Sequence, residues 1–435
     1  MFKQKMFLVA MLPFCFAKAQ KVAFTEYDLS NGLHVILHQD KTAPVVVTSV
    51  MYHVGSKDEM PTRTGFAHFF EHLLFEGSKN IQRGEFMKIV SSKGGNNNAN
   101  TTQDRTFYYE VFPSNQLETG LWLESERMLQ PVINQVGVKT QNEVVKEEKR
   151  LRVDNAPYGN FINVIMKNLF TQHGYSWVPI GSMEHLDAAT LEEFIAFNKK
   201  YYTPKNAVLV IAGDIEIDKT KQLVQSYFAE VPGGAEKEIK KFIENPITTQ
   251  IIDTAYDNNI QIPAIMTGYR TPGITSKESI ALQLASDVLS QGASSRMYKK
   301  MVDEKKNSLQ VGSLNYALED YGVYLTFALP SGDVKLDTLL KDMDEEIVKL
   351  QNELISEKEF TKIRNQYENN YIGKNARMLG VAENLANGYT FHRNTNKINE
   401  DLEEVRKVTR ADIQNVVKKY LNTNQRVVVY YLPKK

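Results

Sequence analysis

Residues 68 to 78 read HFFEHLLFEGS, and the folding of this stretch decides how the rest of the chain is read. At about 100° per residue along a helix, Phe66, Phe69, Phe70, Leu73 and Leu74 fall on one continuous face. His68, Glu71, His72 and Phe75 fall on the other. The spacing predicts a helix over 64–76, with Thr62 or Thr64 able to cap its start and Gly77 able to end it. Its phenylalanine and leucine face must pack into a core, and the histidines point away from that face. Two histidines at i and i+4 lie one turn apart, so both imidazoles can reach one tetrahedral zinc. Glu71 shares their face and can accept a proton from a water that the metal activates.

A hydrolytic zinc has three protein ligands and one open position, so a third ligand must come from elsewhere. The segment TQNEVVKEEKRLRVDN (140–155) reads as a helix carrying Glu143, Glu147 and Glu148. Val144, Val145 and Leu151 define an apolar stripe. Glu148 lies within it, and Glu143 and Glu147 point off it. A carboxylate on a buried stripe is costly unless it is paired or bound to metal. That makes Glu148 the ligand candidate, with Arg152, one turn on, as a competing partner.

Outward from this site the chain reads as two halves. LHVILHQD (33–40) and APVVVTSVMYHVGS (43–56) are strand-like, the HFFEHLL helix follows, and GGNNNANTTQDRTFYYEVF (94–112) reads as a turn leading into a strand. Helical text dominates from about 116 to 155, and NAVLVIAGDI (206–215) closes the half as a strand. Proline, two glycines and a mixed charge run in VPGGAEKEIKKFIENP (231–246) mark a linker. The second half repeats the order: strand, helix with a glycine interruption, strand, helices, and a closing strand QRVVVYYLP (425–433). The expectation is an internal duplication of α+β units, with domains at 20–232 and 248–435 joined by a linker at 233–247.

The 435 residues carry 52 basic and 52 acidic side chains, so nothing in the charge marks a nucleic-acid partner or an anionic membrane surface. MFKQKMFLVAMLPFCFAKAQ opens with Lys3 and Lys5, an apolar run and Ala17-Lys18-Ala19, the layout of a secretory signal over residues 1–19. A membrane anchor is the alternative, although the run is short for a spanning helix. Cys15 is the only cysteine and lies inside this segment, so a mature chain would use neither disulfides nor thiol chemistry. A periplasmic or secreted location is expected.

His68-x-x-Glu71-His72, followed after a long gap by EVVKEEKRLRVDNAPYG, resembles the pitrilysin (insulinase) family of zinc metallopeptidases, in which the H-x-x-E-H order is reversed. GGNNNANTTQDRTFYY is similar to the family's G-G-x-x-N-A-x-T segment, and the likeness extends over nearly the whole mature chain. The resemblance implies that His68, His72 and Glu148 bind one Zn2+ per chain and that Glu71 is the general base. It implies two structurally similar domains, each an antiparallel sheet packed by helices, forming half of a clam-like chamber. Peptide substrates would add as a strand beside Asn98 and Ala99.

Two departures matter. Gln141 stands where some members have a second glutamate seven residues before the ligand, which leaves a polar supporting role but not a charged one. In the second half, Val302 or Asp303 stands near an expected substrate-contacting arginine, and Leu309 near an expected tyrosine. Arg296 and Tyr298 come too early to fill those places. The reading is therefore a zinc endopeptidase that works with a homologous partner chain supplying the arginine and tyrosine, a homodimer being the weaker arrangement. The rival reading is a non-catalytic binding or assembly subunit of the same fold.

Overall fold

The computed structural model describes residues 21–238 and 242–434. The segment expected to be a signal lies outside the described residues. The first half runs β1 (Thr25–Asp28), β2 (His34–Gln39), β3 (Val45–Tyr52), α1 (Phe66–Leu73), α2 (Phe86–Ser92), β4 (Asn96–Thr101), β5 (Thr106–Pro113), α3 (Leu117–Leu129), α4 (Gln135–Lys149), α5 (Phe161–Leu169), α6 (Met183–Ala188), α7 (Leu191–Tyr201), β6 (Ala207–Gly213) and α8 (Ile217–Phe228). The second runs β7 (Ile251–Asp257), β8 (Ala264–Pro272), α9 (Lys277–Ser290), β9 (Ser308–Ala317), β10 (Tyr321–Pro330), α10 (Leu336–Asn352), α11 (Glu357–Asn375), α12 (Met378–His392), α13 (Lys397–Lys407), α14 (Arg410–Tyr420) and β11 (Arg426–Pro433).

Among the described residues the strands form one sheet in the order β1-β2-β6-β3-β5-β4 and another in the order β7-β11-β8-β10-β9. With β1 set aside, the two orders superimpose strand for strand, as a duplication requires. Five helices precede the last strand of each half, α3–α7 and α10–α14, whereas α1 and α2 stand where the second half has α9. Each sheet is antiparallel except for one pair, β2 with β6 and β7 with β11, which run parallel. The parallel pair arises because the last strand of each half, β6 or β11, returns through a helical crossover and inserts beside β2 or β7.

The sequence of β3, VVVTSVMY, shows why these sheets lie inside the molecule. Alternate side chains face opposite sides of a sheet. Val46, Val50 and Tyr52 join the core formed with α1, α3, α7 and α8, whereas Val47 and Met51 join a second core on the reverse face. That reverse face is covered by the other half of the chain: Val381, Ala382, Leu385 and Ala386 of α12 and Ile398 of α13. The exchange is mutual. Ile165, Met166 and Leu169 of α5, from the first half, cover the reverse face of the second sheet. The approach is close at Gly268 of β8, where a Cβ would stand 2.6 Å from Ile165 Cγ2.

The connecting segment is pinned to the first half. Lys237 donates to the His53 carbonyl at 2.6 Å and to Asp58 at 3.0 Å. Glu244 is buried and accepts from the backbone N–H groups of Thr171, Gln172 and His173.

Candidate active site

The H-x-x-E-H helix is α1, and it is shorter than its periodicity suggests. It starts behind Gly65, whose φ of +99° is open to glycine at little cost. Thr64 is not the cap; its hydroxyl pairs with His185 at 2.8 Å. The capping group is the carboxylate of Glu59, which accepts from the N–H groups of Gly65 and Ala67, each at 2.8 Å, and from Trp177 Nε1 at 3.0 Å. Burial pushes Glu59 up to about 8, against these donors, which favour the anion. Phe66, Phe69, Phe70 and Leu73 face the core as expected, against Phe194, Phe197 and Tyr202. Tyr108 donates to the Phe70 carbonyl at 2.8 Å and fastens the helix to β5.

The opposite face of α1 is covered by α4, so His68 is only 8 % exposed although it points away from the core. His68 Nε2 lies 3.4 Å from His72 Nε2. Glu148 Oε2 lies 3.1 Å from His72 Nε2 and 3.4 Å from His68 Nε2. These atoms converge on one point. Ligand atoms about 2.0–2.2 Å from a tetrahedral zinc stand about 3.3–3.6 Å from one another, so the donor set fits a zinc ion. Burial, and then the neighbouring His72, pushes His68 down to about 4, which leaves the neutral imidazole that a metal needs. His68 Nδ1 is buried with no partner among the described residues. Glu148 is held below the usual carboxylate range by its bond to His72, against partial burial. Burial raises Glu71, and the Thr101 hydroxyl partly offsets this.

The two competing roles of Glu148 coexist. Its Oε2 faces the histidines while its Oε1 pairs with Arg152 Nη1 at 2.8 Å. The apolar stripe of α4 differs from the expected Val144, Val145 and Leu151. Val145 is buried, but Val144 and Leu151 are 43 % and 62 % exposed. The inward face of α4 is Val138, Gln141, Val145 and Glu148. Leu151 departs from it because the chain winds wider over Arg150–Asp154, in a π-helical turn. Glu143 and Glu147 lie on the solvent side, paired with Lys146 and Arg150. Gln141 does not reach Glu148, two turns away; its amide donates to Glu76 just beyond α1.

Asn98 and Ala99 lie in β4, the outer strand of the first sheet, opposite Tyr109 and Tyr108 of β5. The asparagine-rich stretch read as a turn is thus largely strand, and the turn comes after Thr101. One contact invisible in the sequence joins this strand to α1: Thr101 donates to Glu71 Oε2 at 2.7 Å. In the second half, Arg296 is tied to Glu359 at 2.9 and 3.2 Å, and Tyr298 and Val302 pack against the core. Asp303 and Leu309 are exposed.

A duplicated α+β chain with an H-x-x-E-H helix converging on a distant glutamate is the arrangement of one class of peptidase. Residues 34–174 match the family described as insulinase (peptidase family M16), and residues 188–367 match the peptidase M16 inactive domain. This chain belongs to the M16 family. It is 29% identical to the zinc protease PqqE of Helicobacter pylori over 93% of this chain and 92% of that protein. It is 22% identical to an uncharacterized zinc protease of Rickettsia felis, over 93% and 96%. A crystal structure of a protease from Helicobacter pylori matches with a TM-score of 0.89 at 29% identity, over 95% of this chain and all of that one. An M16 inactive domain from Pseudomonas fluorescens shares the fold, with a TM-score of 0.85 at 15% identity over 95% and 98%. So does the periplasmic protease PqqL of Escherichia coli, with a TM-score of 0.76 at 17% identity; 95% of this chain spans 48% of that one.

Proposed function

We propose that this chain is a zinc-dependent endopeptidase in which His68, His72 and Glu148 hold the metal and Glu71 is the general base. The observation that supports it best is the convergence of two imidazole nitrogens and one carboxylate oxygen within 3.4 Å, with Glu71 on the same helix face. Zinc, when bound, would polarise a carbonyl and acidify a water. Glu71 takes the proton of the attacking water and passes it to the leaving amine nitrogen, and partial burial favours that exchange by raising its affinity for the proton. β4 is the outer strand of its sheet, so an extended peptide can add as a further strand at Asn98 and Ala99, displacing the Asn98 side chain that accepts from the Ala99 N–H at 2.9 Å. This mode asks for a flexible peptide rather than a folded protein.

The substrate-clamping arginine and tyrosine are assigned to a second, homologous chain. Val302 or Asp303 stands near the place of the arginine and Leu309 near that of the tyrosine, so this chain lacks both there. Export is proposed on the residues at the N-terminus, and no helix among the described residues is long and apolar enough to cross a membrane. The likeness of residues 188–367 to an inactive domain favours the second reading, a non-catalytic subunit. The first half, with its ligand set and base together, weighs against it.

Glu71→Gln separates the two readings. Zinc content should stay stoichiometric while hydrolysis of a quenched peptide falls by about 100-fold or more. Equal turnover by both forms would remove Glu71 from the mechanism.

A further inference from the structure

A glutamate side chain has several rotatable bonds, and a general base works only when one carboxylate oxygen faces the water it deprotonates. In α1 this freedom is removed from outside the helix. Thr101 Oγ1 lies 2.7 Å from Glu71 Oε2, and the hydroxyl is the donor. Glu71 Oε1 is left free of protein partners among the described residues, so one oxygen is anchored and the other is available.

The anchor is itself held. Thr101 ends β4 and is paired with Thr106 of β5, whose hydroxyl donates to the Val54 carbonyl at 2.9 Å. The buried Arg105 reaches back from the following turn to the Asn100 side chain. Its other nitrogen bonds Glu383 of α12 at 2.8 Å. Threonine is β-branched and stiff about its first side-chain bond, so a fixed backbone here means a fixed hydroxyl.

We propose that Thr101 is the positioning residue of Glu71, resting on the reading above that Glu71 is the base. The last residue of β4 thereby sets the aim of the base, so one element presents the peptide and orients the group that drives its cleavage.

The test uses the full zinc-loaded chain. Thr101→Val keeps shape and strand preference and removes the donor. Its kcat should fall roughly 10- to 100-fold, with zinc stoichiometric and KM within about 2-fold. Thr101→Ser should recover most of kcat. Adding Thr101→Val to Glu71→Gln should cost nothing further, because the threonine acts through the glutamate. A crystal structure of Thr101→Val should show the Glu71 carboxylate turned from the position it holds here. An unmoved carboxylate, an undiminished kcat, or a raised KM at constant kcat would each overturn the proposal. Equal turnover by wild type and Glu71→Gln would overturn the base assignment and this inference together, and the Glu71→Gln arm identifies that case.

Discussion

The ammonium of Lys57 lies 2.6 Å from the carboxylate of Glu319, 262 residues further along the chain. The contact bolts the hairpin between β9 and β10 to the first half. Lys57 also reaches Asp104 at 3.0 Å and Asp320 at 2.9 Å. His53 meets Glu319 at 2.7 Å, and His173 meets Asp320 at 3.1 Å. The Glu319 N–H donates to Asp104 at 3.0 Å, in the turn that joins β4 to β5. The second half thus grips the base of the strand on which the peptide is proposed to lie.

This bolt makes stability fall in acid. Burial alone would raise Glu319, but the His53 bond and the charges of His53 and Lys57 outweigh it and hold the carboxyl at about 2. A carboxyl with a depressed folded pKa contributes stability that is present above its unfolded pKa and lost as pH falls through the folded one. Glu319→Gln should cost on the order of 3 kcal/mol near neutral pH and almost nothing by about pH 2, with the difference closing below about pH 4.5. Urea unfolding of the metal-free protein across this range measures it. A difference that does not change with pH would deny the bolt its ionic character.

The exchanged helices predict one cooperative unfolding transition. Each sheet has a reverse face covered by a helix from the other half, so neither half can lose its fold alone without exposing an apolar sheet face. Leu385→Ala, in α12 against the first sheet, should cost about 2–5 kcal/mol and lower that single transition without splitting it. A fragment spanning 20–232 should be aggregation-prone, since it lacks α12. Two separate calorimetric transitions in the intact chain would contradict this.

What the sequence made legible follows from distance along the chain. His68, Glu71 and His72 sit within one helical repeat, and local periodicity is enough to place them on one face. The strand and helix order showed the duplication for the same reason. Of the stripe Val144, Val145 and Leu151, Val145 alone is buried: Val144 lies on the outer flank of the regular helix, and Leu151 leaves the face because the chain does not keep the ordinary helical pitch there. The Glu59 cap, the Thr101 bond and the crossing of α5 and α12 join residues that no local pattern relates. They depend on which surfaces meet after folding. Gln141 shows the converse: spacing put it on the face of Glu148, and two turns of helix put it beyond reach.

Glu148 divides its oxygens, and the two sides can be told apart. Glu148→Gln removes the anionic group of the proposed ligand set and should weaken zinc binding by more than the roughly 10- to 100-fold typical of losing a group behind a ligand. Arg152→Ala leaves the ligand and removes only an exposed partner, so its effect should stay within about 10-fold. Competition with a chromophoric chelator gives both affinities. If the arginine variant lost as much zinc as the glutamine one, the metal would depend on the ion pair and not on the carboxylate.

The second half carries the last prediction. Arg296 is committed to Glu359 and Tyr298 to the core, so neither is free to swing toward a bound peptide. Val302 or Asp303, ahead of the outer strand β9, and Leu309 on it offer no guanidinium or phenol. If these groups stabilise charge at the scissile bond, their absence should lower turnover by about 100-fold or more. The chain alone should therefore hydrolyse a flexible quenched peptide slowly. Titration with a homologous half-length chain that carries arginine at the place of Val302 or Asp303 and tyrosine at that of Leu309 should raise kcat/KM and saturate at one partner per chain. Sedimentation in the same buffer should show the pair forming over the same concentration range. A monomer that reaches the paired rate by itself would mean that this half needs no clamp from outside.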